Sequence, residues 1–349
     1  MPPRSSAKLQ GMTSPAPTLK PLPPVEPVRP GLWSIPVPLP IPLRYVLVYA
    51  FETDRGVYIV DAGWNTEEAF DALDTGLQAA GFSAADVRGV MVTHIHPDHY
   101  GLAGRLRDHS DAWIALHPAD AALVHDRYEE PGDLLTRMGI MLRRFGAPEE
   151  ELEALRDASM PARPFVDFAT PDVLMEDGDR PDMPGWDLTA VWTPGHSPGH
   201  LCFWEPGNKL MLTGDCVLPR ITPNINLNAQ SGDDPLGDYL TSLERLATFD
   251  AEEALPAHEW RYDDHRGRLQ QIREHHELRF REIVAAIEAG HETAWSVAPH
   301  MDWSKPWDAI DPLMKRMAVG EAAAHLRALA RRGVLDEIDG EAIRWAIAD

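Results

Sequence analysis

The sequence predicts an α/β fold with a helical, winged-helix-like region at its C-terminal end. Three observations support this. Short β-branched, apolar runs alternate with stretches of helical periodicity from about residue 45 to 260. Several of those runs end on a small residue followed by a histidine or aspartate, and open α/β sheets keep their sites at strand C-termini. Beyond residue 265 the pattern changes to long helices and a terminal hairpin. The expected division is an N-terminal arm over residues 1–30, a site-bearing domain over 31–265 and the helical region over 266–349.

Residues 1–30 are rich in Pro, Ser and Ala and read as a disordered tail or an extended, polyproline-like arm. Pro36, Pro38, Pro40 and Pro42 continue that character up to the first expected strand. Tyr45–Phe51 and Gly56–Val60, joined by Glu52-Thr53-Asp54-Arg55, form a hairpin by pattern and lead into Asp61-Ala62-Gly63. Glu67–Ala80 repeats apolar residues at helical spacing and stops at Gly81. Val87–Val92 is a short buried strand that runs into Thr93-His94-Ile95-His96-Pro97-Asp98-His99. His94 and His96 point the same way from an extended segment, and Asp98 and His99 follow as the chain turns. Imidazoles and a carboxylate are the ligand set of zinc and similar divalent ions. A polar surface loop would explain any one of these residues, but not four ligand-type residues within six positions.

Ala112–Leu116 is a further strand, and residues 118–160 are dominated by helix formers. Leu134, Leu135, Met138, Met141, Leu142 and Phe145 form one stripe there, read first as core and second as a pocket lining. Leu188–Trp192 leads into Thr193-Pro194-Gly195-His196-Ser197-Pro198-Gly199-His200. Leu201–Trp204 and Leu210–Thr213 form the next hairpin, which ends in Gly214-Asp215-Cys216. Ala254–Ala257 is a third short strand ending on a candidate ligand, His258. His200 is read as a supporting residue behind the ligands, and Cys216 as a small buried residue at a strand end. Asn224, Asn226 and Asn228 alternate in a loop placed either to face the mouth of a site or to form a plain turn.

His265–Ala289 reads as a long helix with Leu269, Ile272, Leu278, Ile283, Val284 and Ile287 on its apolar face. His275 and His276 are placed on its solvated face, and Trp303 and Trp307 are read as packing residues. Glu321–Arg332 is a second helix, followed by two β-rich runs that turn at Asp339-Gly340.

The chain of 349 residues is 44% hydrophobic and 25% charged, as expected of a globular protein with a sizeable core. Its net charge of −23 disfavours nucleic acid and anionic membranes unless a basic patch is segregated on one face. Arg327, Arg331 and Arg332 cluster as a nucleic-acid reader would want, yet residues 266–349 are close to neutral overall. Two cysteines make no disulfide framework, no 18-residue apolar run predicts a membrane span, and the N-terminal residues, with Arg4, Lys8 and Lys20 but no apolar h-region, are not expected to act as a secretory signal. A cytoplasmic location is the default expectation, and a homodimer is compatible with the sequence.

These motifs resemble the metallo-β-lactamase-fold hydrolase superfamily over about residues 30–265. The branch resembled carries a C-terminal extension, as in beta-lactamase-like endoribonucleases and glyoxalase II-like enzymes. The resemblance implies an αββα sandwich. It implies a first divalent ion on His94, His96 and His196, a second on Asp98, His99 and His258, and Asp215 bridging the two. His258 stands in Ala-His-Glu where the family usually has Gly-His-Gly. Asp61 resembles the family's aspartate that supports the ligand turn. The ions implied are zinc first, with iron or manganese as alternatives. The activity implied is hydrolysis by a metal-bridging hydroxide, with Asp98 as the catalytic residue that orients the nucleophile and carries its proton. The expected substrate is a small ester, thioester or lactone. The alternatives are RNA or another phosphodiester, and the sulfur dioxygenase chemistry of a single iron.

Overall fold

The computed structural model describes residues 21–167 and 169–348. A first sheet is built in chain order from β1 (Glu26–Arg29), β2 (Leu32–Pro38), β3 (Tyr45–Thr53), β4 (Gly56–Val60), β5 (Val87–Met91), β6 (Trp113–Leu116) and β7 (Val173–Leu174). Its first four strands are antiparallel and its last four, sharing β4, are parallel. The parallel half is connected through α1 (Glu67–Ala79), α2 (Pro97–Tyr100), α3 (Ala103–Ser110), α4 (Pro118–Ala121), α5 (Gly132–Arg144) and α6 (Glu149–Asp157). A second sheet has the order β11 (Glu253–Pro256), β10 (Leu210–Gly214), β9 (Leu201–Glu205), β8 (Thr189–Trp192).

The two sheets face each other across a core that includes Leu47, Tyr49, Phe51 and Val60 on one side and Leu201, Phe203, Leu210 and Leu255 on the other. Helix α1 (through Ala69, Leu73 and Leu77) and α3 (through Leu106) cover the outer face of the first sheet. The outer face of the second, with Val191, Cys202 and Met211, is covered by α7 (Pro235–Leu246), α8 (His265–Glu288), the short α9 (Ala294–Val297) and α10 (Pro312–Arg331). The result is an αββα sandwich. The region after residue 265 shares a hydrophobic core with the second sheet, and Trp345 of the closing hairpin, β12 (Leu335–Ile338) and β13 (Arg344–Ile347), is fully buried in it.

Several expectations need correction. Residues 1–20 of the expected arm lie outside the described residues, but Glu26–Arg29 is not an arm; it pairs with β2. The proline-rich stretch before Tyr45 also forms a strand, because β1 reaches only Leu32–Ser34 while Pro36 and Pro38 pair with β3 alone. A residue with no N–H to donate is tolerated on such an open edge. Helix α10 starts at Pro312 rather than near Glu321, capped by the Asp311 side chain with Pro in the first turn. The terminal hairpin has a longer loop than its Asp-Gly signal predicts, because the Ile343 N–H is drawn away to the Arg144 carbonyl at 2.7 Å and its side chain is buried. Leu278 faces solvent, whereas His276 is buried against His325 of α10, 3.0 Å between ring nitrogens. Among the described residues no helix is long and apolar enough to cross a membrane.

Candidate metal centre

The fold brings the candidate ligands together because each follows the C-terminal end of a strand at the same edge of the sandwich. β5 delivers His94, His96, Asp98 and His99; β8 delivers His196; β10 delivers Asp215; β11 delivers His258. Main-chain bonds stitch this edge together: Leu201 N–H to the Thr93 carbonyl (2.8 Å), Ala257 N–H to Gly214 (3.0 Å) and Leu47 N–H to Ala257 (2.7 Å). Gly214 turns at φ +49°, and a Cβ there would lie 2.7 Å from the His200 ring. Glycine is thus required where the chain passes beneath the site.

The ligand-type atoms fall into two adjoining sets. His94 Nε2 and His196 Nε2 lie 2.9 and 3.0 Å from His96 Nδ1. In the second set His258 Nε2 is 3.3 Å from both Asp98 Oδ2 and Asp215 Oδ1, and His99 Nε2 is 3.7 and 3.6 Å from the same two oxygens. Asp215 stands between the sets, with Oδ1 toward the second and Oδ2 3.6 Å from His196 Nε2. Arms of about 2.0–2.1 Å in a tetrahedral site imply ligand–ligand edges of about 3.3 Å, close to these spacings.

The far nitrogen of each of four rings is held, which aims the near one into the site. Asp61 Oδ2 takes the His99 Nδ1 proton (2.8 Å), and the carbonyls of Tyr45 and Asn224 take those of His258 (2.9 Å) and His196 (3.0 Å). His94 Nδ1 contacts Thr93 Oγ1 at 3.0 Å, and Asp61 Oδ1 in turn accepts from the Thr93 N–H (2.8 Å) and hydroxyl (2.9 Å). Asp61 performs this from a left-handed backbone, φ +64°, at the end of β4. Such outer bonds fix the tautomer and aim of metal-binding histidines. His200 is engaged at both nitrogens. Its Nε2 accepts the Asp215 N–H (3.1 Å), which leaves the proton on Nδ1 for Thr193 Oγ1 (2.8 Å).

The surroundings fit a bound cation. His99 Nε2, His258 Nε2 and Asp215 Oδ1 are buried without a hydrogen-bond partner, an expensive state that a cation among them would relieve. Burial, and then the neighbouring imidazoles, push His94 and His96 well below the ordinary histidine range, so both offer lone pairs. Burial likewise lowers His196 to about 4 against the pull of Asp215. Burial works against protonation of His99 too, but Asp61, Asp215 and Asp98 overcome it and raise the group. Burial alone would raise Asp215, but His258 and His99 outweigh it and hold the carboxyl well below the usual carboxylate range. A metal ion entering the second set would displace the protons held there.

Asp120 escapes a reading based on ligand types alone. It is fully buried and accepts from the Ile95 N–H (2.9 Å), the Ser197 hydroxyl (2.7 Å) and the Gly199 N–H (2.7 Å), which ties the loop of His94 and His96 to that of His196. Its signal resembles the others: strand β6 is followed directly by His117-Pro118-Ala119-Asp120. Among the expected surface features, Arg327 pairs with Asp233 and Glu337, Arg331 with Asp233, and Arg332 with Glu277.

An αββα sandwich that gathers five histidines and two aspartates at one edge defines a metal-dependent hydrolase. The chain belongs to the metallo-beta-lactamase superfamily, whose sequence profile matches residues 41–258. It is similar to a metallo-beta-lactamase family protein from Thermus thermophilus, at 31% identity and a TM-score of 0.79 over 92% of this chain and 100% of that one. A beta-lactamase domain protein from Burkholderia ambifaria matches at 27% identity and a TM-score of 0.79, over 95% and 97% of the two chains. A probable metallo-hydrolase of Bacillus subtilis (strain 168) is 27% identical over 256 residues, 69% of this chain and 78% of its own length.

Proposed function

We propose that the protein is a dinuclear hydrolase of small esters, thioesters or lactones, with zinc as the first-choice ion. The observation that carries this reading is Asp215, whose two oxygens face different histidine sets across a distance suited to one shared ligand. His94, His96 and His196 would hold one ion, and Asp98, His99 and His258 the other. Bound ions of this kind acidify a water and polarise a carbonyl oxygen.

The chain's own residues supply the rest. Asp98 turns Oδ2 toward His258 and His99, leaving Oδ1 to take the proton of the attacking water and pass it to the leaving group. Asp61 and the carbonyls of Tyr45 and Asn224 keep the imidazoles aimed, so the ligand set is formed before substrate arrives. An acyl substrate is favoured over RNA because the three arginines suited to a nucleic-acid reader are each ion-paired, in a chain of net charge −23.

The test is turnover of a thioester, a lactone, an aryl ester, a phosphodiester and a short RNA, each with and without chelator. Chelator-sensitive acyl cleavage, reduced by about 100-fold or more in Asp98→Asn, is expected. Cleavage of RNA alone would replace this reading with a nuclease. Oxygen consumption by a one-iron protein would replace it with a sulfur dioxygenase.

A further inference from the structure

The Nδ1 proton of His196 is held through a loop seated on the C-terminal helix, whereas those of His99 and His258 are held by Asp61 at the end of β4 and Tyr45 of β3. The Asn224 carbonyl that receives the His196 Nδ1 proton belongs to the loop after β10, and that loop is seated on α10. Asn224 Nδ2 donates to Glu321 Oε2 at 2.6 Å, and Asn224 Oδ1 accepts from Asn226 Nδ2, so both ends of the amide are held. Farther along the loop, the Leu227 N–H donates to the Gly320 carbonyl at 3.0 Å, and Ile225 and Leu227 are buried in the core that α10 shares. The approach is so close that a Cβ on Gly320 would stand 2.4 Å from Asn226 Oδ1.

Glu321 is itself buried, 8% exposed, and among the described residues no lysine or arginine pairs with its carboxyl. A buried carboxyl without a cation is costly, and an apolar side chain in its place would leave the Asn224 amide without an acceptor. Behind it, His325 Nδ1 donates to the Glu321 carbonyl (2.8 Å). Its Nε2 accepts from His276 Nδ1 of α8 (3.0 Å), which fixes the register of the two helices here.

We infer that Glu321 is a positioning residue for the metal centre, acting through Asn224 to set the tautomer and aim of His196. The inference rests on the two-ion reading above. The C-terminal region thus completes the first metal set, although it contributes no ligand.

The experiment uses the full chain as wild type, Glu321→Ala, Glu321→Gln, Asn224→Ala and the Glu321→Ala/Asn224→Ala double variant. Zinc affinity is measured by competition with a chromophoric chelator, and geometry by the visible absorption of the cobalt(II)-loaded protein. Glu321→Ala weakens one of two zinc equivalents by about 10–100-fold, the usual consequence of losing an outer partner of a ligand, and leaves the other unchanged. Asn224→Ala does the same, the double variant is no weaker than either single one, and Glu321→Gln, which keeps an acceptor, restores wild-type affinity and spectrum. Two wild-type affinities with an unchanged cobalt spectrum in Glu321→Ala would overturn the inference alone. Should that variant not fold, a wild-type profile in Asn224→Ala would do the same. Fewer than two zinc equivalents in the unaltered chain would overturn the two-ion reading, and the inference with it.

Discussion

At the residue scale the candidate site depends on acceptors placed one bond behind the candidate ligands. Asp61 collects donors from Thr93 and His99 of one turn, Asp120 collects them from Ile95 and from the distant Ser197 and Gly199, and both aspartates are buried. Asp120 is the more exacting of the two, since its donors come from two separate loops, Ile95 on one and Ser197 and Gly199 on the other. In Asp120→Asn the new NH₂ group meets the Ile95 N–H, the Gly199 N–H or the Ser197 hydroxyl, with at least one buried donor left unsatisfied. The expected loss is about 1–3 kcal/mol in denaturant unfolding. Far-UV circular dichroism of the folded protein should not change. A variant as stable as wild type would show that the two histidine loops are held by other contacts.

At the element scale, most of the candidate site could be read from the sequence because residues of ligand type are concentrated at strand ends. Six positions hold His94, His96, Asp98 and His99, and the small residues before Asp215 and His258 mark where those strands stop. The supporting contacts were less legible. The Asn224 and Tyr45 carbonyls act through main-chain atoms that every residue carries, so composition cannot single them out. β1 and β2 were hidden by prolines, whose placement on an open edge depends on how short β1 is. His276 looked solvated because its own turn of α8 is charged, and only the arrival of α10 buries it. The hairpin β12–β13 followed its Asp-Gly signal, but tertiary contacts at Ile343 lengthened its loop. Trp345 anchors that hairpin in the core shared with α8 and α10. Trp345→Ala should cost about 3–5 kcal/mol, measured by urea unfolding. A cost below about 1 kcal/mol would mean the hairpin is not part of the cooperative unit.

At the scale of the whole molecule, the two sheets and the C-terminal helices converge on one edge. Strand ends supply the candidate ligands, the loop after β10 accepts the Nδ1 proton of His196, and α10 holds that loop. The arrangement is compatible with the metallo-beta-lactamase superfamily to which the chain belongs, and it gives Asp215 the central place between the two sets. The most direct measurement is therefore the metal content per chain of the purified protein beside Asp215→Asn. The account predicts close to two zinc-like ions in the wild type. It predicts one or none in the variant, whose amide cannot serve both sets as a carboxylate does. A wild type that binds one ion, or a variant that retains both at unchanged affinity, would contradict it.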